Sequence, residues 1–134
     1  MGYRSDVAYT IRFTDDHDTN NAQSFYTFLA EAKSNPAYAL ALEEADIDEK
    51  RQRINFHATD IKWYESYVNI ASHNALVEMA RLWCTEVLEG RLHCSIGVMF
   101  LRVGEDTSDI DIMNAGAYDY EWVYTSRQII MDWE

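Results

Sequence analysis

Residues 54–88 narrow the possible folds of this chain more than any other segment. They read INFHATDIKWYES, then YVNIASH, then NALVEMARLWCTEVL, which predicts a long strand, a short turn and an amphipathic helix. In the strand, apolar residues alternate at Ile54, Phe56 and Ala58, then resume at Ile61 and Trp63. The phase slips by one residue at Thr59–Asp60. A β-bulge there would swing the second apolar pair back to the core face. In the helix, Leu76, Met79, Ala80, Trp83, Val87 and Leu88 recur at spacings of three and four, one wide apolar stripe. A strand and a helix with these faces form half of a two-layer core.

The flanking segments supply the other half. Residues 7–13 place Val7, Tyr9, Ile11 and Phe13 on one face and Ala8, Thr10 and Arg12 on the other, a half-buried strand that Tyr3 extends. Asn20 or Asn21 caps a helix carrying Phe25, Phe28, Leu29 and Ala32. Ser34-Asn35-Pro36 ends it and starts a second helix over residues 37–45, apolar on Tyr38, Leu40, Ala41 and Leu42. EEADIDEKRQR reads as a charged linker. Glu89-Gly90-Arg91 stops the long helix, with Gly in the left-handed conformation. Residues 92–103 are apolar on both faces and predict a buried, mid-sheet strand, with Gly97 marking a bulge or a close backbone approach. Residues 104–117 read as an acidic connection to a last strand over 118–130, which would pair with 92–103 as a long-looped hairpin. The order β-α-α-β-α-β-β predicts a single α+β domain over 1–134. It would be a two-layer sandwich, a mainly antiparallel sheet of about four strands with helices on one face.

The 134 residues suit one domain, and at 48% apolar the chain can fill a core rather than remain disordered. No apolar run approaches the ~20 residues of a membrane helix. The start MGYRSDVAYT has neither the charged opening nor the apolar core of a signal peptide, so the expected compartment is the cytoplasm. Cys84 and Cys94 read as small buried hydrophobes, Cys94 opening a strand. The formal charge is −12, from 23 acidic against 11 basic residues. Such a field repels nucleic-acid and membrane phosphates alike and favours a basic protein partner.

Candidate sites are few. Asp15, Asp16, His17 and Asp18 carry ligand atoms, but adjacent residues seldom converge on one ion, and the run reads as a solvated loop. Glu105, Asp106, Asp109 and Asp111, with Asp119 and Glu121 beyond, are six acids without a Lys or Arg among them. The pattern is not an EF-hand, lacking its Gly and its terminal Glu. Like charges this close repel until a cation meets them, so neutralising Asp106, Asp109 and Asp111 should leave the fold intact or slightly more stable. Tyr118, Tyr120, Trp122 and Tyr124 line one side of the predicted last strand, an amphipathic aromatic surface or a plain core face. The acidic run reads either as a solvated hairpin tip or as a partner surface, and the candidate partner residues are Glu105, Asp106, Asp109, Asp111, Asp119, Tyr120, Glu121 and Trp122. His57 falls on the polar strand face, His73 at the helix start, and His93 at the start of a strand. A Cys94–His57 couple on neighbouring strands is conceivable as nucleophile and base, but a core thiol is the commoner situation. No phosphate-binding Gly loop, Gly-x-Ser-x-Gly or Cys-x-x-Cys occurs. No catalytic residue, metal or cofactor is expected.

The opening MGYRSDV, the segment IKWYES and the block FLRVGEDTSDIDI together carry a resemblance. The chain resembles small uncharacterised tailed-bacteriophage accessory proteins that begin Met-Gly-Tyr-Arg-Ser-Asp/Glu-Val. They share a Trp-Tyr-Asp/Glu-Ser strand end and an Arg-x-Gly-Glu-Asp turn, here Arg102 to Asp106. Relatives often have Pro after the Trp-Tyr segment, where this chain has Tyr67-Val68-Asn69. The resemblance implies an accessory protein and transfers no catalytic residue. The expected function is a non-enzymatic protein of the host bacterial cytoplasm that binds a host protein, an acidic decoy for a basic or nucleic-acid-facing surface. One alternative is a small metal-dependent or nucleotide-processing enzyme using the Asp106–Asp111 cluster. Another is a self-assembling structural or regulatory protein, a homo-oligomer.

Overall fold

The computed structural model describes residues 3–13, 21–106, 108–116, 123–125 and 129–131. Strand β1 (Ser5–Phe13) is followed by helix α1 (Asn21–Lys33), a 3-10 turn (Pro36–Tyr38) and the short helix α2 (Ala39–Glu44). Strands β2 (Asp46–Asp48) and β3 (Arg53–Ile61), helix α3 (Val68–Leu88), and strands β4 (Ile96–Gly104) and β5 (Ile110–Gly116) complete the main body. A ribbon of β6 (Val123–Thr125) and β7 (Ile129–Met131) pairs with itself. The class is α+β, as the pattern predicts, but the antiparallel sheet has five strands rather than four, in the order β2-β3-β1-β4-β5.

β1 lies at the centre because it is apolar enough to be buried on both faces. Val7, Tyr9, Ile11 and Phe13 meet Phe25, Phe28 and Leu29 of α1 and Leu76, Met79 and Ala80 of α3, the main core. Each fully buried large apolar side chain here stabilises by ~1.5–3 kcal/mol. The other face of β1, expected to be solvated, is buried too. Thr10 donates to Asn55 Oδ1 at 2.5 Å and Arg12 Nε donates to Thr10 Oγ1 at 3.0 Å, so these polar groups are satisfied internally. Ala8, Met99 and Leu101 form a second small cluster on this side. The β6–β7 ribbon lies near β1 and β4.

The bulge occurs where the phase slips. Val7 faces Ala58 and Ser5 faces Ile61, so two steps along β1 match three along β3. Asp60 takes a φ of 55°, and its N–H donates to Asp6 Oδ1 at 2.9 Å. Ile61 and Trp63 thereby return to the core side. The Asn35 cap also forms: its Oδ1 accepts from Ala37 N at 2.9 Å ahead of Pro36–Tyr38.

Four readings need correction. The long helix begins at Val68, so YVNIASH is its first two turns and not a turn segment, and His73 lies within it. Leu88 is 87% exposed, because the helix ends there in a glycine cap: Gly90 takes φ +80° and Arg91 N–H returns to Glu86 O at 2.8 Å. The charged linker contains β2, whose Ile47 pairs with Ile54 across a tight turn with Gln52 at φ 59°. Finally, β4 pairs not with residues 118–130 but with β5, taken from the supposed connection. Residues 123–125 and 129–131 pair with each other instead, and 117–122 lie outside the described residues. Gly97 sits in unbroken register opposite Arg12 and Gly116, a close approach without a bulge. At Gly116, with φ +82°, an added Cβ would sit 2.1 Å from Ile96 O and 2.7 Å from Cys84 Sγ.

Candidate functional site

The β4–β5 turn, the first residues of the chain and the segment after β3 converge at one end of the sheet. β4 presents Phe100 and Arg102 on the helix-facing side, and β5 places Asp111 directly opposite Arg102. Gly104 permits the approach of the N-terminal segment, since a Cβ there would lie 2.2 Å from Asp109 Oδ2 and 2.3 Å from Tyr3 Oη. Arg4 N–H donates to Glu105 Oε2 at 2.6 Å and Tyr3 N–H to Tyr64 Oη at 2.6 Å. These two bonds tie the chain's start to the turn on one side and to IKWYES on the other. The three sequence blocks that carry the resemblance therefore meet in space.

Arg102 organises the charges. Its Nε donates to Asp111 Oδ2 at 2.8 Å, and its Nη1 and Nη2 grip both oxygens of Asp109 at 3.2 and 2.6 Å. Nη1 also donates to Ser5 Oγ at 3.0 Å. The Arg102 side chain is only 15% exposed, whereas Asp111 is 63% exposed. Arg102, with Tyr3 Oη donating at 2.7 Å, holds the Asp109 carboxyl below its usual range. Asp106 accepts from Ser108 N–H and Oγ–H at 3.0 and 2.9 Å, which lowers its pKa likewise and closes the turn. The largest single influence on the Tyr3 hydroxyl is the Asp106 N–H it accepts, which favours its anion, but its bond to Asp109, desolvation and the Asp109 charge together raise it above its ordinary range.

These contacts reverse one expectation. The acids of the turn are not left to repel one another, because Arg102 lies just upstream of the acidic run and meets two of them across the hairpin. Neutralising Asp109 and Asp111 removes partners instead of relieving repulsion. Of the sequence-predicted partner residues, the fold gathers Glu105, Asp106, Asp109 and Asp111 at this end. Asp119, Tyr120, Glu121 and Trp122 lie outside the described residues, as do Asp15, Asp16, His17 and Asp18. Among the described residues, no three His, Cys, Asp or Glu side chains converge as metal ligands.

Beside the cluster runs a groove of about 590 Å³, within the ~300–1,000 Å³ range of small binding sites. Trp63, Tyr64 and Phe100 wall it, with Trp63 and Phe100 ring centroids 6.3 Å apart. Arg102, Asp109, Asp111 and Glu65 line it as well. Glu65 is exposed and has no bonded partner among the described residues. Sequence reasoning overlooked Tyr3, Glu65 and Arg102. The spacing of Arg102 to Asp109 and Asp111 across a Gly-containing turn was the available signal.

A second polar constellation is buried under α3. Tyr9 Oη lies 2.7 Å from His73 Nδ1, and His73 Nε2 lies 2.6 Å from Glu44 Oε1. Burial lowers the His73 pKa, opposed by the Glu44 hydrogen bond, so the ring is neutral at pH 7. Burial also raises the Tyr9 pKa, keeping its hydroxyl protonated. Tyr9 O–H therefore donates to Nδ1, and Nε2–H donates to Glu44; the opposite tautomer would set a bare lone pair against a carboxylate. With Tyr9 fully buried, this chain of bonds pins α2 and α3 to the sheet rather than presenting a reactive group.

The Cys94–His57 couple does not form. β1 separates β3 from β4; His57 is exposed opposite Ala8, and Cys94 precedes Ile96 at the Phe13 end. Cys94 also lies in the loop before β4 instead of opening it. Burial pushes the Cys84 thiol up to about 11, which makes it a core group as expected. No described helix is long and apolar enough to cross a membrane. Compared with protein-family models, curated proteins and solved structures, the chain matches none.

Proposed function

We propose that this chain is a non-enzymatic bacteriophage accessory protein of the host cytoplasm. It binds a host protein through the groove end of its sheet, covering a basic or nucleic-acid-facing surface. One observation carries the reading: aromatic side chains and carboxylates line one groove, within a protein of net charge −12. Aromatic side chains supply contact area at low entropic cost, and the surrounding field steers a cationic partner and repels phosphates. Asp109 is held by Arg102 and Tyr3, and Asp111 by Arg102, an arrangement suited to recognition.

The test uses Glu65, whose reversal disturbs no bond among the described residues. Wild type and Glu65→Lys are immobilised and exposed to bacterial lysate at low and high salt. A basic protein retained by wild type at low salt, released at high salt and lost from Glu65→Lys is the expected outcome. Identical retention by both proteins would refute the assignment.

Self-assembly has a separate observation in its favour. Among the described residues β5 has a strand neighbour on one side only, with Ile110 and Ile112 39% and 65% exposed, and such edges pair readily. Sedimentation over a hundredfold concentration range decides it, a constant monomer mass being the contrary result.

A further inference from the structure

The groove's chemistry specifies its occupant more closely. Three carboxylates, Glu65, Asp109 and Asp111, share it with a single guanidinium, Arg102, leaving an excess of two negative charges. Arg102 directs its donors to Asp109, Asp111 and Ser5. Asp111 Oδ1 and the Glu65 carboxylate remain open towards solvent, without a partner among the described residues. Two of the lining side chains are aromatics held in place: Trp63 is braced by Phe56 at 6.1 Å, His73 at 5.7 Å and Phe100 at 6.3 Å, and the Tyr64 hydroxyl accepts the Tyr3 N–H. A flat cation between aromatic faces and a carboxylate gains both stacking and paired hydrogen bonds, and arginine is the side chain built that way. Arg102 shows the recognition at work, since Asp109 grips its two terminal nitrogens. An anion would meet the same carboxylates as repulsion, and an aliphatic side chain would strip water from them without replacing its hydrogen bonds.

We infer that the groove receives one arginine side chain of the partner, stacked on the Trp63–Tyr64 wall and paired with Glu65 and Asp111. The inference rests on the proposed docking function and names the residue type that anchors it. Because the cluster of Arg102, Asp109 and Asp111 is prebuilt, the incoming side chain needs no rearrangement of the fold.

The probes are capped Gly-Arg-Gly, Gly-Lys-Gly and Gly-citrulline-Gly peptides, titrated into the full chain and followed by NMR at the Trp63 indole N–H and the Glu65 amide. Citrulline keeps the planar shape and removes the charge. The expected result is saturable shifts with the arginine peptide, binding at least about threefold weaker with lysine, and no saturation with citrulline. Glu65→Gln should weaken the arginine peptide about threefold or more without changing the rest of the spectrum. Equal response to arginine and lysine, or to arginine and citrulline, would overturn the inference, as would shifts away from the groove. If no peptide binds while a basic host protein still depends on Glu65, the arginine anchor fails and the docking function stands. If the host protein is also indifferent to Glu65, both fail.

Discussion

Replacing Tyr9 with Phe tests the internal polar chain that locks the helix layer to the sheet. The substitution deletes one oxygen and leaves the ring, which stacks on Phe56 at a centroid distance of 5.4 Å, so no large cavity opens. What it removes is the donor 2.7 Å from His73 Nδ1. Both residues are fully buried, so water cannot reach the vacated lone pair without opening the core. Stranding a buried acceptor costs ~1–3 kcal/mol, and that is the expected loss in urea unfolding at pH 7. The slope of the unfolding line should not change, because the same surface is exposed. A loss below ~0.5 kcal/mol would mean that Nδ1 carries the proton or finds another donor, and the assignment of roles along Tyr9, His73 and Glu44 would be wrong.

Other consequences follow from the same packing. Because the folded pKa of His73 is lowered, the unfolded chain binds the extra proton first; the contribution is neutral above ~6.5 and stability falls as pH drops through and below that value. A pH series of urea midpoints should show this slope in wild type and a flatter one in His73→Gln. Gly116→Ala should cost at least ~2 kcal/mol, since the Cβ meets the Ile96 carbonyl at a positive φ; a thermal melt within a degree of wild type would contradict the close approach. Trp83, half-buried and edge-on to Phe13 and Phe28, should lose ~2–4 kcal/mol as Trp83→Ala, and a loss under ~1 kcal/mol would place it at the surface. Neutralising Asp106, Asp109 and Asp111 together to Asn should lower the melting temperature, because Arg102 loses its partners; an unchanged or higher value would restore the repulsion account.

The legible parts of this fold are those written in local periodicity. β1, the bulge at Thr59–Asp60, the Asn35 cap and the Gly90 stop each follow from a few neighbouring residues. Elements that depend on distant partners were hidden. β5 is read as a solvated connection because Asp111, like Asp109 just before the strand, looks unpaired until β4 brings Arg102 beside them. The second buried face of β1 looks polar until Thr10, Arg12 and Asn55 satisfy one another. The site shows the same division: its acids stand out in the sequence, whereas the cation that organises them and the aromatic wall beside them come from separate segments. His73 is the clearest case, since nothing local distinguishes a buried imidazole between a strand Tyr and a helix Glu from a surface histidine.

The central claim is that the groove end of the sheet docks a basic protein segment. Its most direct measurement is the association rate of the captured host protein with wild type and with Glu65→Lys at two ionic strengths. The account expects a fast wild-type rate that falls steeply with salt, and a slower variant rate with a flatter dependence, because reversing one groove charge weakens the steering field. Equal rates at low salt, with equal melts for the two proteins, would contradict it.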